Sequence, residues 1–386
     1  MFSSLLARLS TNYFWYFAVI GLMSPFLAVF LDNRGLSSLE IGEIIAVVTA
    51  TKVIGPTLWA MLSDRTGKQL PIIRLGAGLS LLSFVFLFWF DSYWFMLTFL
   101  ALFSLFWTAI LPQLEVMTLT SIRRSPKIYA RIRLWGSLGF IVAAVIASEL
   151  IARFGAESYL LIGLLISLGL AASTMILKQP RHQASKLGNQ GSIFGKVFTY
   201  RFVLFFLAGV MLQVSFGPYY GFFALYLDDY GYQGYTVGLL VGLGSFAEIG
   251  VFLIAGRLFR RFSIKQLLVF SMLSAVLRWS LTAAYTDLPS VLVFSQLLHA
   301  FSFGIYHSAS IQFLHLHFAA DQQNRGQAIY IAGVYGVGGA LGVYATGAIW
   351  FDGAGGQNAF YLAAVAALIG AILALFLPSI HRKTVA

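Results

Sequence analysis

Apolar residues fill this chain in long runs rather than in alternation. Twelve runs stand between short polar connections, at roughly 10–31, 38–61, 71–90, 93–120, 132–152, 157–177, 202–227, 236–257, 265–285, 288–314, 326–350 and 358–377. A helix needs about 20 apolar residues to cross the hydrocarbon core of a bilayer. The pattern therefore predicts twelve transmembrane helices. Strands of a membrane barrel are segments of ~10 residues with alternating faces, and these runs are too long and too uniformly apolar for that.

The chain also repeats itself. FLAVFLDNRGLSSLEIG starts at Phe26 and FFALYLDDYGYQGYTVG starts at Phe222. At this offset Phe26, Ala28, Leu31, Asp32, Gly35 and Gly42 recur as Phe222, Ala224, Leu227, Asp228, Gly231 and Gly238. The same offset carries Asp64-Arg65 onto Arg260-Arg261, in the connection after the next run. Six crossings separate the copies, so the two halves share an orientation. Parallel repeats of this kind in transporters place the substrate near the midplane, where the halves meet. The expected fold class is an all-α membrane protein of two pseudo-symmetric six-helix bundles. Residues 1–177 form the first bundle and 201–386 the second, and the polar stretch 178–200 is a cytoplasmic linker.

Composition and charge sharpen this picture. Of 386 residues 59% are hydrophobic and 10% charged, with mean hydropathy +0.83; a soluble domain carries about 25% charged residues. The net charge of +11 is a topology signal rather than a sign of nucleic acid. Bases crowd the even-numbered connections: Arg65 and Lys68, Arg123 to Arg131, Lys178 to Lys196, Arg260 to Lys265, and Arg325. Acids dominate the odd ones: Asp32, Asp91, Glu157, Asp228, Asp229, Asp287 and Asp352, with Arg34 and Arg153 as exceptions. The positive-inside rule then puts both termini in the cytoplasm. Arg8 precedes a full-length span without a small-residue cleavage site, so no cleavable leader is expected. With no cysteine there is no disulfide, thiol nucleophile or thiolate metal site. The histidines lack companions at ligand spacing, so no metal is expected, and no nucleophile–base set suggests an enzyme.

A few ionisable residues interrupt the runs. Lys52 lies in the second, Glu115 near the end of the fourth, Arg133 near the start of the fifth, Glu248 in the eighth, Arg278 in the ninth, and His299 and His307 in the tenth. A charge at membrane depth costs roughly 2.5–3.5 kcal/mol on insertion scales, so it usually faces a partner or a wet cavity. Glu115 with Arg133 reads either as a structural ion pair or as a solute or proton site, and Glu248 with Arg278 allows the same two readings. Lys52 sits too far from a helix end for easy snorkelling. His299 and His307 are eight residues apart, close to two helical turns, and share a face; lone helix histidines are most often structural. The aromatic runs Tyr13–Phe17 and Tyr219–Phe223 read first as interfacial belts and second as ring-stacking surfaces. Gly333, Gly336, Gly338, Gly339, Gly342 and Gly347 suit close helix approach in the eleventh run.

The connection Ala60-Met-Leu-Ser-Asp64-Arg65-Thr-Gly67-Lys68-Gln69 resembles the signature loop of the major facilitator superfamily, departing from it at Ala60 and Gln69. NYFWYFAVIGLMSPFLAVFLDNRGL, YARIRLWGSLGF, AVLRWSL and QLLHAFSFGIYH resemble its lactose-permease-like branch, and most of all the phenylpropionate permease (PPP) family. The resemblance implies a proton-coupled symporter, monomeric, working by alternating access in the cell inner membrane. It makes Asp64, Arg65, Gly67 and Lys68 a conformational loop, places Glu115 and Arg133 at the spacing of a sugar-binding acid and arginine, and puts Glu248, Arg278 and His299 in a proton and sugar network; Glu248, His299 and Glu115 are the candidate proton-coupling residues. Glu115, Arg133 and Arg278, joined by Lys52 from its mid-span position, are the candidate substrate-binding residues. Two departures prevent a direct copy of the branch's proton relay: Ser302 replaces a glutamate, and Gln296 replaces a lysine.

The expected partners are a small-molecule substrate, protons and the lipid bilayer, with no nucleic acid, and no cofactor beyond the proton as coupling ion. The PPP family name implies an aromatic carboxylate, which arginine meets bidentately. A proton-coupled sugar or nucleoside symporter, with Glu115 and Arg133 bonding hydroxyls, and a passive facilitator remain as alternatives.

Overall fold

In a computed structural model of the chain, residues 2–122, 125–179, 193–319 and 322–378 are described. Among them are twelve helices long and apolar enough to cross a membrane, and no strand. The first six spans are Leu5–Asn33, Ser38–Ser63, Gln69–Phe88, Tyr93–Ser121, Ile128–Phe154 and Ser158–Met175. The last six are Tyr200–Asp229, Tyr235–Ile254, Ile264–Ala284, Pro289–His317, Gln323–Trp350 and Gly356–Leu375. The all-α membrane fold read from the apolar runs is therefore the observed one.

Contacts divide the chain into two compact units, Met1–Lys186 with Tyr220–Gly242, and Leu187–Tyr219 with Leu243–Ala386. The end of the seventh span and the start of the eighth thus pack with the first six spans. Most of the expected linker, residues 180–192, lies outside the described residues.

The sequence repeat has a backbone counterpart. Gly35 and Gly231 both turn to positive φ, 78° and 80°. Gly35 N–H donates to Asp32 O (2.9 Å) and Leu36 N–H to Leu31 O (3.3 Å). In the second copy Gly231 N–H donates to Asp228 O (2.8 Å) and Tyr232 N–H to Leu227 O (2.9 Å). Each closes its helix with the same six-to-one hydrogen bond, which a glycine in the left-handed region makes available.

In the first unit, the fifth span caps the start of the eighth. Ser148 Oγ donates to Gly234 O (2.5 Å) and accepts from Gly238 N–H (3.1 Å), while Glu149 accepts from Tyr235 N–H (3.0 Å). These bonds satisfy backbone groups that a helix start leaves without intrahelical partners. A Cβ on Gly238 would strike the backbone of Ala144 and Val145, so only glycine permits this approach. Elsewhere in the unit Arg34 is held between Asp91 and Glu157. Arg74 donates to the carbonyls of Thr174, Met175 and Leu177, where the sixth span ends and a cation is favoured.

Breaks in the helices position the chemistry. The fourth span is two helices, Tyr93–Trp107 and Ile110–Ser121, because Pro112 cannot donate to Thr108 and crowds its carbonyl. The seventh is likewise Tyr200–Ser215 and Gly217–Asp229, with Pro218 at the break. Glu115 and Tyr219 follow these breaks closely. The tenth and eleventh spans carry π-helical stretches, Ala300–Ile305 and Ile331–Gly338.

Glycines in the second unit allow the close approach expected of the eleventh span. Gly217 and Gly342 face each other, and a Cβ on Gly342 would collide with the backbone of Val214. Gly342→Ala should force the seventh and eleventh spans apart, at the ~1–3 kcal/mol typical of overpacking, and lower the melting temperature of detergent-purified protein. Gly78→Ala, where an added Cβ meets nothing within 4 Å, should leave it unchanged or raise it.

Candidate functional site

The ionisable candidates gather in two clusters, one in each unit. In the first unit Glu115, half-buried, accepts a hydrogen bond from Tyr129 Oη at 3.2 Å. Arg133, one turn beyond Tyr129 on the same helix face, lays its guanidinium over the Phe17 ring at 3.9 Å. The Tyr13 and Thr118 hydroxyls adjoin Glu115 and Tyr129. Tyr16 is buried and stacks on Trp107, with ring centroids 4.3 Å apart and planes 9° apart. A Cβ on Gly136 would lie 2.7 Å from Phe17 and 2.8 Å from Arg133 Nη1, so the stack requires glycine there.

This geometry corrects two expectations. Among the described residues no ion pair joins Glu115 to Arg133; the carboxylate takes a phenol and the guanidinium takes a ring. The hydrogen-bond donors of Arg133 engage no other described residue. The aromatics of the first span do not all form a membrane belt, because Tyr13 and Tyr16 point into the unit at 0% and 3% exposure. Lys52 is exposed midway along the second span, with no hydrogen bond or ion pair to a described residue.

In the second unit Arg278 is wholly buried. Its guanidinium lies 4.1 Å from the centre of the Tyr219 ring and 4.3 Å from that of Trp279. Nη1 meets His299 Nδ1 at 2.6 Å and Nη2 donates to Gln296 Oε1 at 3.0 Å. His299 Nε2 in turn meets Glu248 Oε1 at 2.5 Å. A guanidinium nitrogen only donates, so Nδ1 must accept and the imidazole proton must sit on Nε2. The order is Arg278 to His299 to Glu248. The direct Glu248–Arg278 pair weighed from sequence is replaced by a bridged triad. Gln296 stands where the resembled branch has a lysine and supplies an acceptor to Arg278. Ser302, at the branch's glutamate position, is buried and donates to the His299 carbonyl at 3.4 Å.

The signature loop follows the second span. Gly67 turns to φ 65° and donates to Ser63 O at 2.8 Å, ending the helix. Arg65 and Lys68 are exposed, and the side chain of Asp64 lies outside the described residues. A cavity of about 320 Å³ opens in the first unit, lined by Phe26, Asp32, Ser148, Asp228 and Gln233 among others, and holds none of the charged candidates. Sequence reasoning passed over Tyr129, Phe17 and Gly136. The signal for the first two was present, since Tyr129 precedes Arg133 by one turn and Phe17 belongs to the aromatic run.

A family model described as the MFS_1 like family matches residues 6–362. The chain belongs to that family. It is 31% identical over 370 residues to the probable 3-phenylpropionic acid transporter of Escherichia coli (strain K12), covering 93% of this chain and 94% of that one. It is 27% identical over 278 residues to the maltose permease of Geobacillus stearothermophilus, covering 70% and 69%. Its fold matches the crystal structure of the nucleoside transporter NupG with a TM-score of 0.84 at 17% identity, over 97% of this chain and 98% of that one. At that identity the likeness concerns fold alone. As a member of the MFS_1 like family the chain is a multi-pass membrane transporter of the major facilitator type, not an enzyme.

The triad makes the charge at position 296 critical. Gln296→Lys would set a second cation against buried Arg278. Unpaired buried charge costs about 3–5 kcal/mol, and the melting temperature should fall sharply. Gln296→Glu keeps an acceptor at the same reach and should melt close to the wild type.

Proposed function

We propose that this transporter is a proton-coupled symporter of an aromatic carboxylate of the phenylpropionate type, importing it by alternating access across the cell inner membrane with both termini cytoplasmic. The observation that carries the proposal is the buried Arg278–His299–Glu248 triad. With Glu248 ionised, the triad holds one positive, one neutral and one negative group. Adding a proton to Glu248 removes the negative charge and leaves Arg278 uncompensated. A buried charge without compensation is costly, so the protonated triad favours a different conformation of its unit. A substrate that binds that conformation better then favours proton loading, which is what a symporter requires.

Arg133 is the group to meet the carboxylate. It is held in place by the Phe17 ring and its donors engage no described residue, which suits a bidentate contact. Phe17, partly exposed, supplies ring surface beside it. Glu115 and Lys52 are assigned to the substrate's polar groups, Glu115 also to proton exchange. Arg278 acts through His299 rather than on the substrate, since it is fully buried. The loop Asp64, Arg65, Gly67 and Lys68 serves the conformational change. The 31% identity to a probable 3-phenylpropionic acid transporter supports this reading.

A second reading is proton-coupled sugar uptake. The Glu115–Tyr129 pair suits hydroxyl groups, and the maltose permease is among the relatives. The readings differ in charge moved. A monocarboxylate with one proton is electroneutral, and a neutral sugar with one proton is not.

In proteoliposomes, 3-phenylpropionate uptake should follow an imposed pH gradient and ignore an imposed membrane potential. Potential-driven uptake of a sugar with no response to the acid would replace the first reading by the second. Uptake without any pH change would leave a passive facilitator. Glu248→Gln should abolish accumulation while keeping exchange. Arg133→Ala should raise KM by about tenfold to a hundredfold, the size of a hydrogen bond to a charged group.

A further inference from the structure

The triad poses a problem for any proton that leaves Glu248. His299 cannot pass it on, because Arg278 Nη1 holds Nδ1 and cannot give it up to a second proton. The imidazole is closed at its far end, so the proton needs another exit. The tenth span supplies one. The rings of His299, Phe303 and His307 form one stack, with centroids 5.3 Å and 6.1 Å apart and planes within 4° and 7°. The π-helical stretch Ala300–Ile305 lies between the two histidines. A π turn takes up more residues than an α turn, so each fourth residue comes nearer to vertical. Within this stretch Gly304 packs against Glu248, where an added Cβ would lie 3.7 Å from its Cγ.

His307 Nδ1 meets Tyr335 Oη at 3.2 Å. Tyr335 belongs to the other π-helical stretch, Ile331–Gly338. It also stands edge-on to Phe303, with centroids 6.1 Å apart. The two irregular spans thus meet at the His307–Tyr335 hydrogen bond, and π-helical insertions occur often at functional sites. His299 is buried at 4% exposure, whereas His307 is only half-buried.

We propose that His307 and Tyr335 form a second proton station, which takes the proton from Glu248 and hands it onward. The Tyr335 hydroxyl gives its proton to His307 Nδ1 and receives, by way of a bridging water, the one that leaves the Glu248 carboxyl. Glu248 ends as carboxylate, His307 as imidazolium, and Tyr335 is unchanged. The ionisable neighbours are Glu248 on the eighth span, Arg278 on the ninth, His299 and Tyr306 on the tenth, and Tyr330 and Tyr335 on the eleventh. The proposal rests on the proton-coupled reading and assigns Tyr335 and His307 to it as new members.

The test uses the full chain in proteoliposomes with 3-phenylpropionate and an internal pH dye. Substrate-driven proton entry by the wild type comes first; its absence overturns the symport reading, and this station with it. Given wild-type proton entry, His307→Gln and Tyr335→Phe should each slow proton-driven uptake by about tenfold or more. Exchange at equal pH and the melting temperature should stay unchanged. The double variant should be no slower than His307→Gln alone, as for two members of one path. Wild-type uptake rates in both single variants would overturn the station while leaving the symport reading standing. So would multiplicative losses in the double variant, or equal losses in exchange and uptake.

Discussion

A guanidinium with no exposure must find acceptors for its charge inside the protein, and the second unit is arranged around that need. Arg278 has a carboxylate within two groups of it, yet its bonds go to an imidazole and an amide. The choice has consequences. A carboxylate bonded directly to a buried arginine would resist protonation, since breaking such a pair costs about 3–5 kcal/mol. Placing His299 between the charges lengthens their separation, and Coulomb attraction falls with distance. The Arg278 hydrogen bonds to His299 and Gln296 do not involve the acid. The aromatic faces of Tyr219 and Trp279 hold the guanidinium as well, because cation–π attraction does not depend on the acid.

The first unit solves the same problem in the opposite way. Arg133 is only partly buried and rests on Phe17, and its donors engage no described residue. Its acid neighbour, Glu115, is occupied by Tyr129. One arginine is therefore bonded to an imidazole and an amide, and the other rests on a ring. The glycine at 136 leaves room for this stack, since a Cβ there would crowd both Phe17 and Arg133 Nη1.

Much of this was legible in the sequence. Runs of twenty apolar residues and the alternation of bases and acids follow from the bilayer itself, so the twelve spans and the repeat could be read directly. The pair Gly35 and Gly231 is the clearest case, since matching letters became matching φ angles. The charged positions were legible because the membrane makes each one costly. Their partners were not. Glu248 and Arg278 are conspicuous, but nothing in the letters says that His299 stands between them rather than beside them. Tyr13 and Tyr16 carry the same letters as a membrane belt, and only packing turns them inward. The grouping of residues 220–242 with the first unit also escaped, because the side-chain caps from Ser148 and Glu149 are tertiary contacts.

The π-helical stretches are the least legible element and the most instructive. Runs of this kind are rare because their hydrogen bonds reach one residue too far, so two of them in neighbouring spans need a compensating return. An uninterrupted α-helix would carry residues 299, 303 and 307 progressively round its axis, since four residues exceed one turn of 3.6. The wider turn holds these three rings in one column and keeps Ser302, the residue in place of the branch's glutamate, buried behind it. A backbone irregularity, rather than any one side chain, is thus what brings His307 into register with His299.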